Sequence, residues 1–285
     1  MQIGEWKATQ GLNELYIELR EQGLEPNVAE LETFGFTVVE GALPPHQTTR
    51  LRERCLEVTA DRIGEPVAED GSNLTGRTEM MQGMVAEGQE FEELLLNPAA
   101  VSLLTFMLGE SYVLNSLHAF VKGPDTASWG NLHIDSPMPD PLPRYAQVAN
   151  CNFLLTDYTL DAGPIAFVPG SHRLSRHPRP EDYVPENLVP IEAPAGSMVA
   201  FHGNTWHTAL GRTLPGMRVN LIYYACRSYV RPQEFYLHRL TDEVFARNPE
   251  RFRRILGGDL PFTDQVYDRD KRTGRIREAS LSQHR

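Results

Sequence analysis

Apolar residues change their spacing twice along the chain, and the changes mark out three segments. Up to about residue 111 they recur every three or four positions, the helical period. Leu12, Leu15, Tyr16 and Leu19 predict an N-terminal helix that Gly23 ends. The β-forming run over 34–40 predicts a short strand. A helix follows from Pro44-Pro45 through Arg62, with Leu51 and Cys55 on one face. Residues 63–82 are rich in Gly, Asp, Glu and Asn and read as a loop. Phe91 to Leu108 is helical again, with Asn97-Pro98 as a fresh start in the middle.

From Tyr112 the texture becomes one of short β-rich runs divided by Gly and Pro. The predicted strands are 112–121, 128–135, 146–156, 164–168, 188–192, 197–202, 206–210 and 217–226. Short strands in succession, without long helices between them, point to an antiparallel sandwich or barrel. After Pro232 the pattern turns helical, with Leu237, Leu240, Val244 and Phe245 on one face, and the last twenty residues are charged and expected to fray. The chain thus reads as one domain over 1–285: a mainly helical part to 111, a β-core over 112–230 and a helical tail.

Composition narrows the function. A length of 285 residues with 41% hydrophobic and 23% charged residues suits a globular protein with a sizeable core. A net charge of −11 argues against non-specific nucleic-acid binding. Cys55, Cys151 and Cys226 are widely spaced and form no CxxC, so neither a disulfide framework nor a thiolate zinc site is expected. No signal peptide or membrane-length apolar run is visible. The expectation is a cytoplasmic protein with a small-molecule partner and no nucleic acid or membrane; its oligomeric state is left open.

The candidate chemistry lies in the β-segment. His133 and Asp135 stand two apart, and residues two apart in a strand share a face. His207 follows Asp135 by seventy-two positions, and Arg218 follows His207 by eleven. Two imidazoles and one carboxylate make a facial triad for Fe(II) that leaves coordination positions open. Each piece alone has a plainer reading: a solvated turn before 137–143 for His133 and Asp135, a satisfied polar core group for His207. His202 competes with His207 as the distal ligand. Arg218 favours His207, because a hairpin closed by Gly211–Gly216 sets the two on neighbouring strands. An arginine inside a barrel also needs an anion, which a keto-acid carboxylate supplies.

The run Val148-Ala-Asn-Cys-Asn-Phe-Leu-Leu-Thr-Asp-Tyr-Thr-Leu-Asp-Ala-Gly-Pro-Ile-Ala-Phe-Val-Pro-Gly-Ser-His resembles the core signature of the phytanoyl-CoA dioxygenase (PhyH-like) family. HxD precedes it; Gly-Ser…Phe-His-Gly, Trp-His and an arginine follow in the family's order, and the resemblance runs from about 34 to about 230. It implies a double-stranded β-helix, or jelly-roll, and an oxidoreductase using Fe(2+), 2-oxoglutarate and O2, with ascorbate as a supporting reductant. It implies His133, Asp135 and His207 as iron ligands, Arg218 as the anchor of the distal 2-oxoglutarate carboxylate, and Asn131 and Asn152 as further co-substrate contacts. Ile134 stands where many relatives have Gln, and Ala209 where some have Ser. The implied reaction is hydroxylation of a small organic molecule, of specialised metabolism, with succinate and CO2 as co-products. Asp135 argues against halogenation, since related halogenases have Gly or Ala there. The alternatives are a hydroxylase of acyl-CoA or another primary metabolite, and a non-catalytic jelly-roll that binds a metal or ligand.

Substrate contacts are less defined. Met80, Met81 and Met84 offer an adaptable apolar wall. His118 lies on a strand that can reach the pocket, and 137–145 is a lid candidate. Pro169-Gly-Ser-His is a turn by composition, which makes His172 structural. The basic run from His172 to Arg179 reads foremost as a solvated loop, with an anionic substrate as the alternative.

Overall fold

A computed structural model describes residues 7–128 and 131–258, with side chains from residue 14 onward. The helical part contains α1 (Lys7–Glu21), α2 (Glu25–Phe34), α3 (Pro45–Ile63), α4 (Gln89–Leu95) and α5 (Pro98–Leu108), interleaved with β1 (Phe36–Val39) and β2 (Thr78–Met81). The β-core adds β3 (Val113–Lys122), β4 (Val148–Leu154), β5 (Ile165–Phe167), β6 (Val189–Pro190), β7 (Met198–His202), β8 (His207–Ala209) and β9 (Arg218–Cys226). The short helices α6 (Asp242–Arg247) and α7 (Glu250–Ile255) follow.

Local chemistry explains several boundaries. Asn97 caps α5 by accepting from the Ala100 amide at 3.1 Å, and Pro98 occupies the first turn, where its missing N–H costs nothing. The break between α4 and α5 is therefore written in the Asn-Pro pair. Gly35 ends α2 in the left-handed region at φ +87°, which turns the chain directly into β1.

The strands form two antiparallel sheets, a large one ordered β1-β7-β4-β9-β3-β2 and a small one ordered β6-β5-β8. Period-two alternation gives the large sheet two different faces. Val219, Leu221, Tyr223 and Ala225 of β9, with Leu117, Ala119 and Val121 of β3, pack against Leu51 and Cys55 of α3, Phe91 of α4 and Leu103 of α5. Each of the fully buried leucine, valine and phenylalanine side chains contributes on the order of 2 kcal/mol. The intervening residues turn to the small sheet. There Leu154, Phe167, Val199 and Phe201 form a second apolar cluster, and polar side chains fill the rest. Helices cover one face and a second sheet the other, and the core is a jelly-roll.

The structure corrects five expectations. The strands of His207 and Arg218, β8 and β9, are not hairpin neighbours but lie in different sheets, because the chain between them crosses from the small sheet to the large one. Within 63–82, β2 pairs with β3, so that stretch is not all loop. The 128–135 run forms no continuous strand; His133 makes a single bridge to His207, and residues 129 and 130 lie outside the described ones. In the tail, helix begins only at Asp242; Leu237 and Leu240 pack on the core from turns. Tyr16 is exposed, although Leu19 three positions on is buried. The last twenty residues, expected to fray, lie outside the described residues. No single described helix is long and apolar enough to cross a membrane.

Candidate metal and co-substrate site

His133, Asp135 and His207 come together between the sheets. Backbone pairing places them: the His133 and His207 amides donate to each other's carbonyls at 3.0 Å. The Asp135 amide donates to the Gly203 carbonyl at 3.0 Å, and the Ser136 amide to the same oxygen at 3.2 Å. A Cβ on Gly203 would sit 2.5 Å from the Val148 carbonyl oxygen, so this close approach requires glycine.

One ligand atom from each of the three residues lies within 4.8 Å of the other two. His207 Nε2 stands 3.6 Å from Asp135 Oδ2, and His133 Nε2 4.0 Å from Asp135 Oδ1. His207 Nδ1 lies 2.9 Å from the Thr205 carbonyl, which can only accept, so the proton sits on Nδ1 and the Nε2 lone pair faces the carboxylate. Asn150 Nδ2 donates to Asp135 Oδ2 at 2.8 Å, and the Tyr224 hydroxyl donates to the Asp135 carbonyl at 2.8 Å. Burial pulls both imidazoles down to about 4, His133 further through its neighbour His207. They are neutral near pH 7, the state in which imidazole binds a metal. Burial raises the Asp135 carboxyl, against the lowering effect of His133 and the Asn150 hydrogen bond. A divalent cation between the three groups would reverse that.

The triad opens into a cavity of about 300 Å³. Arg218, the first residue of β9, is 5% exposed. One of its terminal nitrogens donates to the Gly163 carbonyl and the other to Asn220 Oδ1 at 3.3 Å, while Nε has no partner. Its guanidinium lies 5.0 Å from the Tyr158 ring centroid. Beside it Lys122 donates to the Leu210 carbonyl at 2.7 Å. The cavity therefore has carboxylate chemistry at one end and two buried cations at the other.

Comparison with known proteins fits this arrangement. The profile of the phytanoyl-CoA dioxygenase (PhyH) family matches residues 31–219. The chain belongs to that family. A PhyH-family chain of this kind resembles the uncharacterized protein Rv1501 of Mycobacterium tuberculosis, 28% identical over 235 residues that cover 80% of this chain and 84% of the relative. It also resembles the dioxygenase af480 of Aspergillus fumigatus, 27% identical over 194 residues, 64% of this chain and 62% of the relative. Among solved structures, the epimerase SnoN in complex with Fe3+, alpha ketoglutarate and nogalamycin RO superposes with a TM-score of 0.60 at 20% identity, covering 74% of this chain and 87% of SnoN. That likeness establishes the fold.

The other residues singled out from the PhyH-like sequence fall in different places. Asn152 and His118 line the cavity, Asn152 with an unpartnered Oδ1. His118 Nε2 lies 3.6 Å from Glu234 Oε1. Asn131 is exposed and does not line the cavity. Met80 is also exposed and outside the lining, while Met81 and Met84 are buried in the helix-side core. These three methionines make no wall of this cavity. Sequence reasoning missed Lys122, Asn150 and Tyr224. Asn150 was within reach of the alternation rule, since it precedes Asn152 by two on the same strand. His202, the rival ligand, points elsewhere and lines a different cavity.

Proposed function

We propose that this PhyH-family dioxygenase uses Fe(II) and 2-oxoglutarate to hydroxylate a C–H bond of a small organic molecule. The observation that carries the reading is the convergence of His133, Asp135 and His207 in one cavity with Arg218 and Lys122. The donor set fits iron: two neutral imidazoles and one carboxylate on one side of a space. The far end fits a dicarboxylate, because the Arg218 Nε is buried without an acceptor.

When bound, ferrous iron activates O2 at the expense of 2-oxoglutarate, which leaves as succinate and CO2. The chain's own groups do the rest. His133, Asp135 and His207 would hold the metal. Asn150 and Tyr224 keep the Asp135 carboxylate and backbone in place. Arg218 would bind the distal carboxylate through a charge-assisted hydrogen bond, with Lys122 adding a second positive charge. Asn152 Oδ1, buried and unpartnered, offers an acceptor along the cavity. Phe201, Tyr158 and Ile165 keep bulk water from the reacting groups.

Asp135 supports hydroxylation over halogenation, since a carboxylate occupies the position a halide would need. The names of af480 and SnoN, a dioxygenase and an epimerase held with nogalamycin RO, support a small organic substrate. The buried free thiols Cys55, Cys151 and Cys226 support a cytoplasmic location.

Protein reconstituted with Fe(II), 2-oxoglutarate and O2 tests the class without knowledge of the substrate. Slow uncoupled succinate formation by wild type, absent in Asp135→Ala, is the expected outcome. Wild type that binds Fe(II) and 2-oxoglutarate yet forms no succinate would instead indicate a non-catalytic binder.

A further inference from the structure

A second cavity, of about 610 Å³, shares no lining residue with the first. Its walls come from α2, α5, the segment before β4, the turn after β5 and the ends of β7 and β9. Arg144, Arg173 and Arg227 face it, with His172 and His202, against a single acidic residue, Glu32.

The charge balance here is unusual for this chain. Acidic residues outnumber basic ones by 38 to 27, and many of the other arginines find carboxylates, as Arg176 does with Asp182 at 2.6 Å. Among the described residues no carboxylate pairs with Arg144, Arg173 or Arg227. Two of them are instead steadied by carbonyls: Arg173 by that of Glu32, and Arg227 by those of Ala146 at 2.6 Å and Met107 at 3.3 Å. A carbonyl orients a guanidinium without neutralising it.

His202 supplies an independent sign of a ligand. It is 9% exposed, and its Nδ1 accepts from the Asn204 amide at 3.0 Å. That bond fixes the neutral tautomer with its proton on Nε2. Nε2 has no partner of good hydrogen-bond geometry, only the backbone carbonyl of Arg144 acting on it. A buried N–H that is poorly paired is unfavourable, and a ligand acceptor relieves it. His172 lies beside it, ring centroids 5.4 Å apart.

The rest of the wall is apolar, including Leu31, Phe106 and Met107. We propose that this cavity binds a phosphorylated small molecule, its phosphoryl group held by Arg144, Arg173, Arg227 and the His202 Nε2–H, and its organic part resting on Phe106 and Met107. A dianion with three strong acceptor oxygens matches three guanidiniums better than a carboxylate does. The cavity is larger than a phosphate ion needs, which leaves room for the organic part.

Phenyl phosphate, inorganic phosphate and benzoate serve as probes in calorimetric titration of the full chain. The double variant Arg144→Ala/Arg173→Ala removes two exposed cations without touching either core. Arg52→Ala/Arg239→Ala, at two other exposed positions, controls for net charge. Phenyl phosphate is expected to bind wild type at least tenfold more tightly than benzoate, to lose at least tenfold in the pocket variant, and to be unchanged in the control. Fe(II) and 2-oxoglutarate binding should be the same in all three proteins, which separates this site from the triad. Equal affinity for wild type and the pocket variant, equal loss in the control, benzoate binding as well as phenyl phosphate, or no phosphate binding at all would each overturn the proposal.

Discussion

Lys122 and Arg218 are cross-strand partners on β3 and β9, both buried and both turned toward the cavity that holds the triad. No carboxylate among the described residues pairs with either. Two like charges on one sheet face are costly unless an anion meets them. Burial foremost, then Arg218 and Arg212, pull the Lys122 ammonium down to about 7.

That depression sets a pH dependence. Below about pH 7 Lys122 is charged and adds to the attraction for a dicarboxylate; above it the amine is neutral and the contribution fades. The affinity for 2-oxoglutarate should therefore fall between pH 6 and 8.5, measured anaerobically by titration, and Lys122→Met should flatten the fall. Stability runs the other way. Between about 7 and the ordinary 10.5 the unfolded chain keeps a proton that the folded one has released, so ligand-free stability rises with pH across that window. Lys122→Met should raise the melting temperature more at pH 6 than at pH 10. A pH-independent affinity in wild type would contradict this role.

Arg218→Ala should weaken 2-oxoglutarate binding by about 2–5 kcal/mol, a factor of roughly thirty or more, because it leaves a buried carboxylate without its charged donor. Arg218→Lys should recover only part of the loss, since a lysine cannot reproduce the fork that also grips the Gly163 carbonyl. Succinate formation as a function of 2-oxoglutarate concentration checks both. An unchanged KM in Arg218→Ala would remove this residue from the co-substrate site.

Asn150→Ala removes the amide that holds Asp135 Oδ2. Groups that orient a metal ligand typically account for about 10- to 100-fold in metal affinity. Fe(II) titration should show a loss of that size, with circular dichroism unchanged. Affinity within twofold of wild type would mean the carboxylate is positioned by its backbone bonds alone.

Much of this site was legible because β-strands repeat every two residues. The alternation along β9 divides Arg218, Asn220, Ile222 and Tyr224 from the apolar residues between them, but the hairpin expected to join His207 to Arg218 does not form, because β8 and β9 belong to different sheets and the two residues reach one cavity from opposite sides. What escaped notice did so for physical reasons. Lys122 ends a strand, where a lysine ordinarily meets solvent; only the cross-strand partner and the sheet above bury it. β2 is an edge strand whose Thr-Glu-Met-Met sequence has little β-propensity and is held by pairing with β3, an information source outside its own residues. Asn131 was matched to the family's polar position on the strand before HxD, yet the chain around His133 makes only a bridge, so its neighbours need not face the cavity as they would on a strand.

Anaerobic titration of the protein with Fe(II) in the presence of 2-oxoglutarate, followed by the visible charge-transfer absorption of a ferrous 2-oxo-acid complex, tests the central claim most directly. Wild type should develop the band at one equivalent of iron, and His133→Ala, Asp135→Ala and His207→Ala should each lose it while His202→Ala keeps it. A band that persists in Asp135→Ala and His207→Ala, or that vanishes in His202→Ala alone, would contradict the assignment of the metal centre.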